Sequence, residues 1–214
     1  MARRRRSNER PLRRRAAQID QLSRFVILCE GELTEPHYLK AFARLPSVRA
    51  TSTLDIRGMG YEPRRLVEEA RDLKRQERRQ GSGSSQYWCV FDVEAPTQHP
   101  RLLEATQMAY DNDIKVAVSN PCFELWLLLH FINHESWIGN DSCRTLLRQW
   151  DTSQGKTVDA AVYMPRLADA VRRAERLEKL HESADRKLPD NNPASGMHRL
   201  LLAIDPAMTA GEAS

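Results

Sequence analysis

Short runs of consecutive apolar residues alternate along the chain with longer stretches in which apolar positions recur every three or four residues. Residues 25–29 (FVILC) are the first apolar run, and Thr34, Glu35 and Pro36 then supply a cap and an early-turn proline for a helix reaching about residue 45. A second strand at 53–57 runs into Gly58-Met59-Gly60, and residues 62–79 read as a charged surface helix with Leu66, Val67, Ala70, Leu73 and Lys74 along one side. A Gly/Ser stretch at 81–85 breaks the chain before a third strand at 87–93 (YWCVFDV). A helix at 99–112 and a fourth strand at 115–118 follow. Helical crossovers between apolar strands imply parallel neighbours, because hairpins cannot join them, so the fold class is α/β with a small sheet of about four parallel strands flanked by helices.

Asn120-Pro121 reads as an N-cap and first-position proline opening the most apolar helix, residues 122–133 (CFELWLLLHFIN). Beyond it the pattern is helical, at 142–150, 159–183 and 197–204, with a polar loop at 185–193. The expected organisation is a disordered basic tail at 1–23, an α/β core at 24–133, a helical extension at 134–204 packed on it, and a frayed end at 205–214.

Charge changes this picture at one end. Residues 1–24 carry nine arginines against Glu9 and Asp20, a net of +7, which leaves 24 basic and 27 acidic groups in the remainder. Arg3, Arg4, Arg5, Arg6, Arg13, Arg14 and Arg15 therefore form an arm suited to a polyanion, with nucleic acid the natural partner and a solubilising leader the alternative. No stretch approaches the roughly 18 apolar residues of a membrane span, and the start lacks a signal sequence's apolar segment, so a soluble cytoplasmic protein is expected. Cys29, Cys89, Cys122 and Cys143 are 60, 33 and 21 residues apart without a C-x-x-C pair, which points to reduced core thiols.

In an open parallel sheet the site lies outside the carboxyl ends of the strands. There the residues are acids: Glu30 after the first strand, Glu35 at the following helix start, and Asp92 and Glu94 at the end of the third strand, two apart and so on one side of an extended chain. Converging carboxylates repel unless a cation neutralises them, and Mg²⁺ or Mn²⁺ is the cation that hard oxygen ligands favour. Each acid alone also fits a helix-dipole contact or a turn cap. Glu124, in the first turn of the apolar helix, needs a partner, either an arginine, the helix dipole or the same metal site. Gly58 and Gly60 precede a helix and allow close approach of a phosphate, although a plain turn explains them equally well. Lys156 in SQGKT lacks the first glycine of a phosphate-binding loop, that position being Trp150.

The segments FVILCEGELTEPHYLKAF, VFDVE, VSNPCFELWLLLHF and NPASGMH together resemble the RloB-like family, over nearly the whole chain after about residue 20. That family is similar to the Toprim superfamily, whose signature is a Glu after the first strand and a D-x-D after a later one. The resemblance carries these roles to Glu30 and to Asp92 and Glu94, with Glu94 standing where the pattern has Asp. It also implies Mg²⁺-dependent phosphodiester chemistry on DNA or RNA, phage defence, an ATPase partner, and a further metal-serving acid at Glu35. His198, in NPASGMH, is a candidate proton donor to a phosphate or leaving oxygen. The expected function is a metal-dependent nuclease with Glu30, Glu35, Asp92, Glu94, Glu124 and His198 in its site. The alternatives are a nucleic-acid-binding adaptor that has lost chemistry and a subunit docking on an ATPase.

Overall fold

A computed structural model describes residues 22–81, 84–151 and 158–208. The arginine arm and Lys156 lie outside the described residues. Four strands, β1 (Ser23–Cys29), β2 (Ser52–Gly58), β3 (Gln86–Asp92) and β4 (Lys115–Asn120), form a parallel sheet, which a two-residue antiparallel strand, β5 (Ala194–Ser195), extends to five in the order β2-β1-β3-β4-β5. The order places β1 and β3, the two strands that end in acids, side by side.

Strand alternation sorts the core into two layers. Phe25, Ile27, Cys29, Trp88, Val90 and Ala117 face one side; Val26, Leu28, Tyr87, Cys89 and Phe91 face the other. Helices α3 (Pro63–Arg79) and α4 (Leu102–Asp111) cover the second layer through Leu66, Val67, Ala70, Leu102 and Ala105. The first layer is covered by α1 (Thr34–Phe42), α2 (Pro46–Thr51), α5 (Phe123–Leu128), α6 (Asn140–Leu147), α7 (Ala160–Tyr163), α8 (Leu167–Ser183) and α9 (Met197–Ile204). The C-terminal helices thus share the apolar core of the sheet, and the chain between α8 and α9 contributes its edge strand. All four cysteines are buried and free. Among the described residues no helix is long and apolar enough to cross a membrane.

Several boundaries differ from the periodicity. Asn120 does not cap a helix: it ends β4, a cis bond joins it to Pro121, and Cys122 occupies the cap position before α5. The apolar helix stops at Leu128 because its last turn tightens, with His130 N and Phe131 N donating to the carbonyls three residues back, of Leu127 and Leu128, while Arg173 takes the Leu129 carbonyl at 2.7 Å. The 159–183 stretch is broken by a 3-10 turn, Met164–Arg166, at Pro165, which has no N–H to continue the ladder. The helix expected from residue 99 begins at Leu102, after Arg101 at φ +63°.

Candidate metal centre

The parallel register brings the ends of β1 and β3 together, with Cys29 beside Val90 and the Glu30 N–H donating to the Val90 carbonyl at 2.9 Å. Glu30 turns back along this edge. Its Oε2 accepts from the Asp92 backbone N–H at 3.0 Å, and its Oε1 lies 2.8 Å from His99 Nε2, a contact that becomes an ion pair when the imidazole is protonated. Asp92 faces α5, where its Oδ2 accepts from the Phe123 backbone N–H at 3.0 Å. The other oxygen, Oδ1, is shut away from solvent and has no hydrogen-bond partner among the described residues. Glu35, buried at 7% exposure in the first turn of α1, accepts from the Gly31 N–H at 3.2 Å.

Glu94 reaches the edge by a different route from the expected pleat. The strand ends at Asp92, and Glu94 sits at φ +68°, a left-handed backbone that extended alternation does not produce. Asn140, the first residue of α6, holds it there: its Nδ2 donates to Glu94 Oε2, its Oδ1 accepts from the Ala95 N–H at 3.1 Å, and its own N–H donates to the Ala95 carbonyl at 3.1 Å. Of the three partners the sequence left open for Glu124, the structure supplies an arginine, Arg144 Nε at 3.0 Å.

These acids feel one another. Burial raises the Asp92 carboxyl well above the usual carboxylate range, and Glu35, Glu124 and Glu30 push it further. Glu35 is raised by burial and then by Glu124 and Glu30; Glu30 is raised by burial, with Glu94 adding to it and the Asp92 N–H and His99 opposing. The edge is therefore one electrostatic unit of five carboxylates.

Its fit to a divalent cation is chemical. The donors are all carboxylate oxygens, the set that Mg²⁺ and Mn²⁺ prefer, and Asp92 Oδ1 is a buried oxygen with no hydrogen-bond partner among the described residues. Among the described residues no three His, Cys, Asp or Glu side chains stand together at coordinating spacing, because Glu30, Glu35 and Glu124 are each drawn to a donor of the protein.

One of the other candidates lies apart from this unit. His198 is 3% exposed and occupied at both nitrogens, Nδ1 by the Ser195 carbonyl at 2.8 Å and Nε2 by Glu178 at 3.0 Å; its contacts are with β5 and α8, two strands beyond β3. Gly58 and Gly60 pack on Glu32. A Cβ at Gly58 would stand 2.6 Å from the Glu32 carbonyl oxygen, and the Met59 and Gly60 amides are taken by the Cys29 and Glu30 carbonyls at 3.0 Å. Those two amides are spent on the sheet rather than offered to a phosphate. Sequence reasoning missed His99 and Asn140. His99 was assigned to a helix, but the loop before α4 frees it to meet Glu30; its place five residues after Glu94 was the available signal.

The sequence pattern of the RloB-like protein family matches residues 25–204. The chain belongs to the RloB-like family. The match runs from β1 to the end of α9 and so includes every acid of this RloB-like chain's carboxylate edge, together with His99 and Asn140. No curated protein and no solved structure matches the chain.

Proposed function

We propose that this RloB-like protein is a metal-dependent nuclease of Toprim type, hydrolysing phosphodiester bonds of DNA or RNA with Mg²⁺ or Mn²⁺, in phage defence and alongside an ATPase partner. The observation that carries the reading is Asp92 Oδ1: a buried carboxylate oxygen with no hydrogen-bond partner among the described residues, on a carboxyl that Glu35, Glu124 and Glu30 act upon, at the carboxyl edge of a parallel sheet. Such an oxygen is costly unless a proton or a cation meets it.

Asp92, Glu30 and Glu94 would hold the cation, with Glu35 either extending the set or acting as base. A bound cation supplies Lewis-acid stabilisation of phosphoryl oxygens and a water of lowered pKa. The chain's own residues supply position and proton handling. The Phe123 and Asp92 backbone N–H groups fix the Asp92 and Glu30 carboxylates, so neither swings into solvent. Asn140 fixes Glu94 on the facing side. Glu35, with its carboxyl raised above the usual range, is the group suited to take a proton from an attacking water, and Arg144 holds the Glu124 carboxylate in an ion pair at 3.0 Å.

The test is cleavage of plasmid, single-stranded DNA, mRNA and tRNA by the full chain and by Asp92→Asn, in Mg²⁺, Mn²⁺ or EDTA. Metal-dependent cleavage absent from Asp92→Asn is expected. The second reading, an adaptor that binds nucleic acid without cutting it, draws on the engagement of Glu30, Glu35 and Glu124 by protein donors; binding without cleavage, unchanged by EDTA and by an added ATPase partner, would establish it instead.

A further inference from the structure

Of the four tryptophans, Trp126 is fully buried and Trp88 is 6% exposed, and both belong to the core. Trp150, 48% exposed, has one face stacked on Phe131 at 5.7 Å and an interplanar angle of 14°. Trp137 differs from all three. It is 65% exposed, and no aromatic ring stacks on it among the described residues.

An exposed indole on a loose loop would mean little. Trp137 is carried on a backbone pinned immediately beyond it. Asn192, itself buried, accepts from the Ile138 N–H at 3.0 Å and donates to the Ile138 carbonyl at 2.9 Å and to Asn120 Oδ1 at 3.1 Å, which ties this segment to the end of β4. Two residues further on, Asn140 grips Glu94 and Ala95. The indole edge lies against Gly139: a Cβ there would be 3.6 Å from Trp137 Cη2 and 3.5 Å from the Ala95 carbonyl oxygen. The large exposed ring therefore stands on the rim of the carboxylate edge, next to the segment that carries Glu94, on a backbone held by Asn192 and Asn140.

We propose that Trp137 is the platform on which an unpaired base of a single-stranded nucleic acid stacks as its backbone crosses the carboxylate edge. The proposal rests on the phosphodiesterase reading for the path of that backbone. A flat ring beside a phosphate-handling edge suits a base, because every base has a π-face and stacking needs no sequence match. A base held in a duplex has both faces covered by its neighbours and gains nothing from the indole. The consequence is a preference for single strands, loops and ends over duplex.

The experiment uses the full chain carrying Asp92→Asn, so that substrate is not consumed, with a fluorescein-labelled single-stranded 12-mer of DNA, the same of RNA, and the matching duplexes in Mg²⁺. Trp137→Ala is expected to weaken single-strand binding about ten-fold or more while leaving duplex binding unchanged, and Trp137→Phe to restore most of the loss. Single strands should also quench tryptophan emission in Asp92→Asn and fail to do so in Asp92→Asn with Trp137→Phe, a readout that a merely structural residue would not move. Equal single-strand affinity with and without the indole overturns the proposal, as does absence of single-strand binding. The two readings fail separately: Trp137-dependent binding without cleavage by the wild type would leave the platform standing and remove the nuclease, and cleavage indifferent to Trp137 would do the reverse.

Discussion

The Glu30 carboxylate accepts a hydrogen bond from the Asp92 backbone N–H at 3.0 Å, so the acid ending one strand is held by the peptide that carries the acid ending its neighbour. Removing the acceptor leaves a partly buried N–H without a partner, whereas an amide in its place still accepts. Glu30→Ala is therefore expected to lose ~1–3 kcal/mol in urea unfolding and Glu30→Gln distinctly less. Equal losses would mean that the bond does not tie the strand ends.

Asp92, Glu35 and Glu30 all have folded-state carboxyls raised above the usual range, by burial first and by one another after it. A raised folded value contributes stability that is fully present below the unfolded value, about pH 4, and is lost as pH rises through the folded value. The metal-free protein is thus expected to lose stability from these groups as pH rises from about 4 toward neutrality. Asp92→Asn keeps an oxygen for the Phe123 N–H and removes a charge, so its melting temperature in EDTA at neutral pH should exceed that of the wild type by about 2–4 °C, equivalent to ~1 kcal/mol. A melting scan against pH checks both the slope and its flattening in the variant.

Asn140 holds Glu94 at φ +68° through its side chain and satisfies the Ala95 N–H as well. Asn140→Ala should cost ~2 kcal/mol and reduce cleavage more than ten-fold, since Glu94 loses its restraint. Asn140→Asp should recover part of the stability, because it still accepts from Ala95, and little of the cleavage, because it sets a carboxylate against Glu94. Paired melting and rate measurements separate the two effects.

Gly58 admits the Glu32 backbone at a distance that a side chain would close. Gly58→Ala should lower the melting temperature by several degrees and weaken all nucleic-acid substrates alike, by displacing the loop that connects Glu30 to Glu35. Unchanged melting with a selective loss of binding would instead mean that the glycine serves a phosphate.

The β1, β3 and β4 runs were legible because a doubly covered parallel strand is continuously apolar, and four of the five acids follow directly from where those runs end or the next helix begins. Glu124 was legible from the cost of an unpaired charge beside Phe123 and Leu125, although the identity of Arg144 as its partner was not. Other features depend on tertiary contacts that leave no local pattern. The two residues of β5 are too few for periodicity, Asn120 looked like a cap because Asn-Pro usually is one, and His99 looked helical because it precedes an apolar-periodic stretch. Strand alternation sets Glu94 beside Asp92, but the strand ends at Asp92, and a left-handed turn and Asn140 are what position Glu94.

Mn²⁺ binding followed by electron paramagnetic resonance addresses the carboxylate edge without relying on any substrate. Free Mn²⁺ signal should fall on titration with the full chain at neutral pH, with at least one ion bound per chain, and should persist with Asp92→Asn, while His198→Ala, whose contacts lie on β5 and α8, binds as the wild type does. Wild type and Asp92→Asn leaving the same free Mn²⁺ would contradict a metal centre at Asp92, and with it the account of these five acids as the working edge of a nuclease.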